Sequence, residues 1–588
     1  MWRRTLFYLC AVVCAVWADA DARESRLVNI AQGPVRGYKD SETGVYFFQS
    51  IPYASIPTGP NRFKAPLPPP TWMQPLEAVK RTIVCPQATL PTPGMLEIKG
   101  KQEDCLIASV YVPDTEENDL PVVVYVHGGA FQLGSGDVAI PSKLVAENNI
   151  IAVTFNYRLG AHGFLCLGTE DIPGNAGMKD QVAALRWVRK NIAEFGGNPD
   201  DVTIAGYSAG AAAVDLLMLS KSTEGLFNKV IPESGASIAQ WAIQSNPLEN
   251  AKWFAKYLNF TNVDDVHALE DFFKTISFDL LTIDAFWDRT DSTFLFSPCV
   301  ERATGEEVFL DKSPVAILKS GNYKKVPLLY GFANMEGLLR IGFFDFWKHK
   351  MNEKFSDFLP PDLEFETEDE KEDTANKIKK FYFGDTPVGV ENILSYVNFF
   401  SDIIFTYPML RAVKYHLKAG HDQIYLYEYS FVDDNTPPVP HTNVKGANHC
   451  AQTAAIFEGT PAFGYISQLT KEFMEMSTIM RKIWGNFIKT GEPVWEGSTL
   501  PAWPAVRMPW AHHMSLGIDI TLQGSLLERR ARFWDDIYEK HYRDPIPPPK
   551  TIQLRSELYK LNKFNQSVTM GSLVARNDLF QTTLHGKE

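Results

Sequence analysis

The stretch VTIAGYSAGAAAVDLLMLS, residues 202–220, contains the pentapeptide GYSAG, in which Ser208 lies between Gly206 and Gly210. The β-branched apolar run before it is typical of a strand, and the Ala- and Leu-rich run after it is typical of a helix. A serine on a sharp turn between a buried strand and a helix projects its hydroxyl above the sheet, where the helix N-terminus favours negative charge. The stretch therefore predicts that Ser208 is a nucleophile. The alternative is an ordinary serine in a strand-to-helix turn.

Strand-like and helix-like runs alternate around this stretch. An amphipathic run from Asp180 is predicted to form a helix that ends at Gly196, and the acidic run 364–373 is interpreted as a solvated insertion. Near-continuous apolar strands between amphipathic helices are typical of a mostly parallel sheet. The sequence therefore predicts an α/β fold with a central, mostly parallel sheet, helices on both of its faces and long loop insertions. The strand-like runs begin at Leu120, Ile150, Val326 and Gln423.

Composition and charge restrict the class of protein. The 588 residues are 45% hydrophobic and 22% charged, which is ordinary for a globular protein. The formal net charge of −13 argues against a nucleic-acid partner, because the chain offers no basic field to attract phosphates.

The first residues combine two arginines, at positions 3 and 4, with an apolar run at 6–17 and the small residues Ala18 and Ala20. This arrangement predicts a signal peptide over residues 1–20. The alternative, a membrane anchor, fits poorly because the run is shorter than the about 18 residues that a span requires, and no later uninterrupted apolar stretch of that length is evident. The sequence therefore predicts a secreted, extracellular protein with no stable membrane span.

A proline-rich segment, DPIPPPK, follows residue 543 and separates the preceding chain from a C-terminal segment. We therefore predict one domain over residues 21–543 and a C-terminal tail over residues 544–588. Two Asn-X-Ser/Thr triplets, at Asn259 and Asn565, are predicted glycosylation sites, in agreement with secretion.

Five cysteines remain after the signal peptide, so at least one is a free thiol or bridges to another molecule. Cys85 and Cys105 enclose a polar, proline-containing loop, and we predict a disulfide between them. On the chain-entropy model, closing this loop stabilises the folded protein by roughly 3 kcal/mol. The sequence leaves the state of Cys166, Cys299 and Cys450 open, although Cys450 is expected to be a free thiol whose neighbour His449 favours the thiolate while burial opposes it.

A nucleophilic serine needs donors for the oxyanion, and the segment VHGGAF supplies candidates directly after a predicted strand. The backbone N–H groups of Gly128 and Gly129 are predicted to join that of Ala209 around the carbonyl oxygen of a substrate. Glycine suits this position because no Cβ separates the backbone from the substrate. The alternative is that these glycines belong to an ordinary loop.

The acid and the base are predicted to follow later strands. Glu336 comes just after the strand-like run from Val326, and His449 lies beyond the run from Gln423, so that the chain order is Ser, Glu, His. His441 is the chief alternative base. We prefer His449 because small residues precede it and an apolar, helix-like run follows it.

Taken together, these motifs closely resemble those of the type-B carboxylesterase and cholinesterase family, and the pattern is most similar to insect members, which include odorant-degrading esterases. The resemblance implies an α/β-hydrolase fold, a triad of Ser208, Glu336 and His449, and an oxyanion hole of Gly128, Gly129 and Ala209. It also implies the Cys85–Cys105 pairing and two buried ion pairs, Arg62 with Glu103 and Arg158 with Asp180. The motifs are EDCL at 103, HGGAF at 127, NYRLGAHGF at 156, GNAGMKDQ at 174, GYSAG at 206, ANMEG at 333 and GANHC at 446.

Three departures from the family pattern qualify this expectation. Tyr207 stands where many relatives have a glutamate, and Cys450, Ala451 and Gln452 follow the histidine where relatives usually have an acidic residue. The loop from residue 85 to residue 105 lacks the tryptophan that holds a quaternary ammonium in cholinesterases. We expect an altered rate or pH dependence from the first two departures and a poor site for choline esters from the third.

The sequence thus predicts a secreted serine carboxylesterase that acts on small uncharged or apolar esters and needs no metal or cofactor. One alternative is a catalytically silent adhesion or binding protein of the same fold. Another is a juvenile hormone esterase, against which Tyr207 counts because such enzymes usually have glutamine there. The aromatic run GFFDFWK, residues 342–348, is compatible either with a lining of the substrate pocket or with core packing.

Overall fold

A computed structural model of the chain describes residues 23–88, 100–282, 289–459, 469–507, 512–524 and 526–549. The predicted signal peptide, Asn565 and the tail beyond residue 549 lie outside the described residues. The boundaries of the predicted domain therefore stay a prediction.

Thirteen strands within the described residues form one sheet. They are β1 (Ser25–Ile30), β2 (Gly33–Lys39), β3 (Tyr46–Pro52), β4 (Leu76–Glu77), β5 (Ile107–Val112), β6 (Leu120–Val126), β7 (Ile151–Phe155), β8 (Gly197–Tyr207), β9 (Lys229–Glu233), β10 (Leu328–Ala333), β11 (Ile424–Tyr429), β12 (His513–Leu516) and β13 (Ile520–Gln523).

The order of strands across the sheet is β1-β2-β3-β5-β7-β6-β8-β9-β10-β11-β12-β13, and β4 pairs with β2. Neighbours from β7 to β12 run parallel, and antiparallel pairs lie at both ends of the sheet. The four predicted strand-like runs correspond to β6, β7, β10 and β11, all in the parallel part. The prediction of a central, mostly parallel sheet is confirmed.

Helices cover this sheet. Those among the described residues are α1 (Ser142–Asn148), α2 (Gly160–Phe164), α3 (Ala176–Asn191), α4 (Ala209–Leu219), α5 (Pro247–Tyr257), α6 (Val266–Thr275), α7 (Pro314–Ser320), α8 (Phe344–Glu353), α9 (Glu368–Phe383), α10 (Ile393–Ser401), α11 (Tyr407–Lys418), α12 (Ala451–Ile456), α13 (Lys471–Thr490) and α14 (Glu528–His541).

Two sequence expectations about helices have clear outcomes. The run from Asp180 is helical and ends, through a short 3₁₀ turn, at Gly196, whose φ of 91° is the left-handed conformation that glycine accepts. The acidic run is solvated, as expected, and it also begins a regular helix. The Thr367 hydroxyl accepts a hydrogen bond of 3.1 Å from the Glu370 N–H and caps α9. Most of its acidic side chains remain exposed.

Strand β6 shows why the sheet must be covered on both faces. Val122, Val124 and Val126 belong to one apolar cluster, and Val123 and Tyr125 belong to another. Because successive side chains of a strand point to opposite faces, the two clusters are the two layers of core between the sheet and its helices. The residues at the carboxyl end of this strand therefore emerge from a rigid, buried support.

The ion pair between Arg158 and Asp180 lies in this core. The guanidinium donates to the carboxylate at 2.7 Å and 2.6 Å, and the side chains are only 2% and 0% exposed. The pairing of Arg62 with Glu103 that the resemblance implied is wrong. Glu103 is exposed, and the Arg62 guanidinium instead donates to the backbone carbonyls of Phe273 and Ile276.

Replacing Asp180 by asparagine should lower the free energy of unfolding by about 3–5 kcal/mol, because it leaves the buried Arg158 without its counter-charge. Urea titration of the purified protein measures this change. The exposed pair of Arg186 and Glu307 provides the control, since Glu307→Gln should change stability by less than about 1 kcal/mol. Equal effects of the two substitutions would contradict the expectation.

Disulfides join two pairs of cysteines. One links Cys85 to Cys105, the pair that the sequence indicated, with their Cα atoms 5.0 Å apart. The other links Cys166 to Cys299, which are 133 residues apart in sequence, so that no local pattern pointed to it. Cys450 is a free cysteine.

One continuous helical run among the described residues, Val390–Lys418, is long and apolar enough to cross a membrane. However, 83% of its most apolar window is buried inside the fold, which is typical of a core helix. The run is therefore only weak evidence for a membrane span.

Candidate active site

Ser208 occupies the junction between β8 and α4. Its φ of 54° and ψ of −122° are unfavourable for a residue with a side chain, and its backbone N–H donates to the Glu233 carbonyl at 2.8 Å. A Cβ on Gly206 would lie 2.5 Å from the Gly210 carbonyl oxygen, and one on Gly210 would lie 2.1 Å from that of Val126. Both outer glycines are therefore required by close backbone packing, as expected for a nucleophile elbow.

The structure brings Ser208, His449 and Glu336 together. The Nε2 atom of His449 lies 2.9 Å from Ser208 Oγ, and its Nδ1 atom lies 2.5 Å from Glu336 Oε2. A carboxylate oxygen only accepts, so Nδ1–H donates to Glu336 and the free Nε2 can accept the serine proton. His441, the alternative base, is exposed in a preceding loop.

The imidazole of His449 is held in a dry environment. His449 is 4% exposed, Glu336 is 0% exposed, and the Phe405 ring stacks on the imidazole with centroids 4.1 Å apart. Phe405 belongs to a π-helical turn, residues 402–406, that joins α10 to α11. Exclusion of water strengthens the interaction between the carboxylate and the imidazolium that forms during base catalysis.

Further residues orient the acid, and sequence reasoning missed them. Oε1 of Glu336 accepts hydrogen bonds from the Ala333 N–H at 2.8 Å and from the Ser234 hydroxyl at 2.5 Å. The Gln452 amide donates to Ser234 Oγ at 2.6 Å. Ser234 follows β9 and Gln452 lies in α12, so the contacts join parts of the chain that are distant in sequence and carry no local motif.

The candidate oxyanion loop follows β6. A Cβ on Gly128 would lie 3.0 Å from the Ser208 Cβ, so this residue directly adjoins the nucleophile, and Gly129 has a φ of +113°. Ala209 is the first residue of α4 and is completely buried. These are the three residues whose backbone N–H groups the sequence assigned to the oxyanion hole.

His127 orients this loop. Its Nδ1 atom lies 2.8 Å from the Gly128 carbonyl oxygen, and its ring stacks on Tyr157 with centroids 4.4 Å apart. Burial lowers the pKa of His127 to about 4, so the ring is neutral and donates through Nδ1. The Gly128 carbonyl and the Gly129 N–H belong to the same trans peptide group and point in opposite directions. The hydrogen bond that holds the carbonyl toward His127 therefore directs the Gly129 N–H away from His127.

Cys450 adjoins the base and is a free cysteine, as expected. Burial, together with the charges of Glu336 and Glu233, raises the pKa of its thiol well above the ordinary value. Of the two opposing influences that the sequence indicated, burial is therefore the larger, and the group is a neutral thiol at physiological pH.

A cavity of about 530 Å³ opens beside His449. Two carboxyl groups also line it, but Thr436 and Thr470 donate to that of Asp433, and a backbone N–H donates to that of Glu458. Side chains from the run 342–348 are not among its lining. Core packing accounts for Phe344 and Trp347, which are buried, whereas Phe346 is exposed. Its apolar lining includes Val138, Leu338, Ile341, Phe431, Phe457 and Phe473.

Within the described ranges, no group of three or more His, Cys, Asp or Glu side chains is arranged to hold a metal ion. The expected independence from metals and cofactors stays a prediction.

A mostly parallel sheet covered on both faces, with a strained serine at a strand–helix junction, defines the α/β-hydrolase class. Comparison with protein families matches residues 24–534 to the Carboxylesterase family. The chain belongs to this family and is an ester hydrolase, as the motifs predicted.

Individual relatives agree with this assignment. The chain is 32% identical over 525 residues to a juvenile hormone esterase of Heliothis virescens, covering 85% of this chain and 91% of the relative. It is 35% identical over 416 residues to a carboxylic ester hydrolase of Bombus ignitus, covering 69% and 74%. It also resembles a crystal structure of juvenile hormone esterase from Manduca sexta with OTFP covalently attached, with a TM-score of 0.76, 29% identity and coverage of 88% and 100%.

Proposed function

We propose that this chain is a secreted serine carboxylesterase that hydrolyses uncharged or apolar carboxylic esters. The observation that carries the proposal is the continuous hydrogen-bonded series from Ser208 Oγ through both nitrogens of His449 to Glu336. This series supplies a nucleophile, a base and a group that orients the base. An intact series also argues against a catalytically silent binding protein.

In the proposed reaction, His449 Nε2 takes the proton of Ser208 and the serine oxygen attacks the ester carbonyl. The backbone N–H groups of Gly128, Gly129 and Ala209 stabilise the negative charge on the carbonyl oxygen. His449 then protonates the departing alcohol, which leaves an acyl group on the serine. A water molecule, deprotonated by the same nitrogen, hydrolyses this acyl-enzyme and restores the free serine.

The cavity beside His449 is compatible with this substrate class, although Ser208, Gly128, Gly129 and Ala209 are not among the residues that line it. Its apolar side chains favour a hydrocarbon group of the ester, because transfer of such a group from water is favourable by roughly 25 cal/mol per Å² buried. Of its two carboxyl groups, that of Asp433 accepts hydrogen bonds from Thr436 and Thr470, whereas Oε2 of Glu458 has no partner among the described residues. Tyr207, which also lines the cavity, adds no negative charge next to the nucleophile.

Three observations support secretion and processing in an oxidising compartment. The sequence of residues 1–20 has the pattern of a signal peptide. The two disulfides, Cys85–Cys105 and Cys166–Cys299, are of a kind that persists outside the cytosol. Asn259 is exposed in the turn that follows α5 and is accessible as a glycosylation site.

Neutral esters should react faster than choline esters. We compare acetylcholine with its neutral isostere, in which a tert-butyl group replaces the trimethylammonium group, because the two differ in charge and hardly in shape. An aromatic site compensates the lost hydration of the cation by about 0.5–2 kcal/mol, and the sequence lacks the family's tryptophan for it. The kcat/KM ratio should therefore favour the neutral ester by more than about tenfold.

The measurement is steady-state hydrolysis of both esters by the purified enzyme under identical conditions. Equal values, or a preference for acetylcholine, would show that the cavity contains a cation site and would contradict the proposed substrate class. Juvenile hormone belongs in the same substrate panel, because two of the relatives are named for its hydrolysis.

A further inference from the structure

Glu233, the last residue of β9, is a buried carboxyl group that the proposed reaction does not use. Its side chain is 0% exposed. It accepts hydrogen bonds from the Tyr427 hydroxyl on Oε1 and from the Thr453 hydroxyl, at 3.0 Å, on Oε2. A buried carboxyl group is costly unless it is compensated, so its presence calls for an explanation.

The chain at Glu233 and Ser234 contacts two members of the triad. The backbone carbonyl of Glu233 accepts the N–H of Ser208 at 2.8 Å, and the next residue, Ser234, donates to Glu336. Thr453, which donates to the Glu233 carboxyl group, lies four residues beyond His449 in the segment that presents the base. The charge of the Glu233 carboxyl group acts on that of Glu336, the hydrogen-bond partner of His449.

The surroundings of Glu233 set its charge. Burial is the largest influence and raises the pKa of this carboxyl group to about 7, with a further contribution from the charge of Glu336. The hydrogen bonds from Tyr427 and Thr453 act in the opposite direction. The described titratable groups whose charge interacts with it are Tyr125, Tyr427, Tyr429, Glu336 and Cys450.

We propose that Glu233 is a second acid of this active site, a positioning residue whose carboxylate stabilises the imidazolium of His449 that forms during ester hydrolysis. The inference rests on the proposed function.

The sign of the effect follows from the charges. In the resting enzyme the imidazole is neutral and Glu336 is negative, so ionisation of Glu233 places two like charges near each other. When His449 takes the serine proton, its positive charge offsets Glu336, and a carboxylate at position 233 becomes favourable. Ionised Glu233 therefore lowers the barrier, and activity should rise with pH as this group loses its proton.

The test is the pH dependence of kcat/KM for a neutral ester, measured from pH about 5 to about 9. In the wild-type enzyme, loss of a proton from Glu233 should contribute to the acid limb. In Glu233→Gln this contribution should disappear, and the plateau at high pH should fall by about tenfold because the stabilising charge is absent.

Two further variants separate a charge effect from a structural one. Tyr427→Phe removes a hydrogen bond to the carboxylate but keeps the acid, so the midpoint for Glu233 should move to higher pH while the plateau is retained. Glu428→Gln is the matched control, because Glu428 is the next residue of β11 and its side chain points to the opposite face of the sheet. Its profile should equal that of the wild type.

The results distinguish the role of Glu233 from the proposed ester hydrolysis by Ser208. If Glu233→Gln folds and its profile superimposes on that of the wild type, or if Tyr427→Phe leaves the midpoint unchanged, the role of Glu233 is refuted while ester hydrolysis by Ser208 stands. If Ser208→Ala instead retains full activity, the proposed function itself fails. If Glu233→Gln does not fold, the midpoint in Tyr427→Phe alone decides the inference.

Discussion

Ser208→Ala is expected to lower kcat for neutral esters by about 10⁵-fold or more while the unfolding transition stays close to that of the wild type. The hydroxyl is the attacking group in the proposed reaction, and the side-chain contact given up is its hydrogen bond with His449. Alanine has the same Cβ and occupies the same strained backbone conformation, so the elbow is retained. Hydrolysis of p-nitrophenyl esters, followed together with thermal unfolding, measures both quantities.

Ser237→Ala is the matched control, because Ser237 is a buried serine in the segment after β9. It should keep the activity of the wild type. A fluorophosphonate should add covalently to Ser208 and should fail to label Ser208→Ala. An adduct that peptide mapping places at another residue would overturn the assignment of the nucleophile.

Glu336→Gln is expected to reduce kcat by about 10⁴-fold, even though it changes a single atom. Two donors, the Ala333 N–H and the Ser234 hydroxyl, already face Oε1, so the glutamine must place its oxygen there. Its NH₂ group then faces His449 Nδ1 and donates to it. The imidazole is forced to carry its proton on Nε2, where it can no longer accept the proton of Ser208.

The control for this prediction is the double variant Ser234→Ala with Glu336→Gln. Ser234→Ala removes one of the two donors to Oε1, so in combination with Glu336→Gln the amide gains freedom to turn and part of the lost activity should return. The rates of the two single variants and the double variant are compared in a double-mutant cycle. Strictly additive losses would contradict the tautomer argument.

The sequence predicted those parts of the molecule whose causes are local. The strand, serine and helix of the elbow lie next to one another in the chain, from Gly197 to Leu219. The two glycines were expected because a Cβ would collide with the neighbouring backbone. The strands of the parallel core were recognised for the same reason, since burial on both faces leaves a continuous apolar run. Glu336 and His449 were found because each follows such a strand.

The features that the sequence did not reveal depend on contacts between distant segments. Ser234, Gln452 and Glu233 reach the triad from β9 and α12, and neither segment carries a pattern that distinguishes a catalytic neighbour from an ordinary buried residue. The buried ion pair implied for Arg62 is not formed, because Glu103 is exposed and Nη2 of Arg62 donates to two backbone carbonyls at the C-terminal end of α6. The balance of influences on the Cys450 thiol stayed open in the sequence, because the extent of its burial, which raises its pKa, depends on the fold.

The left-handed conformation of Ser208 has a consequence for how this enzyme can change. A residue with a side chain in such a conformation costs on the order of 1–3 kcal/mol, which the packed sheet around β8 must offset. Glycine would relieve that cost, but it would remove the hydroxyl. Activity and stability therefore oppose each other at this one position. Substitutions that weaken the surrounding core lower the free energy of unfolding, and less of it then remains to offset the strain at Ser208.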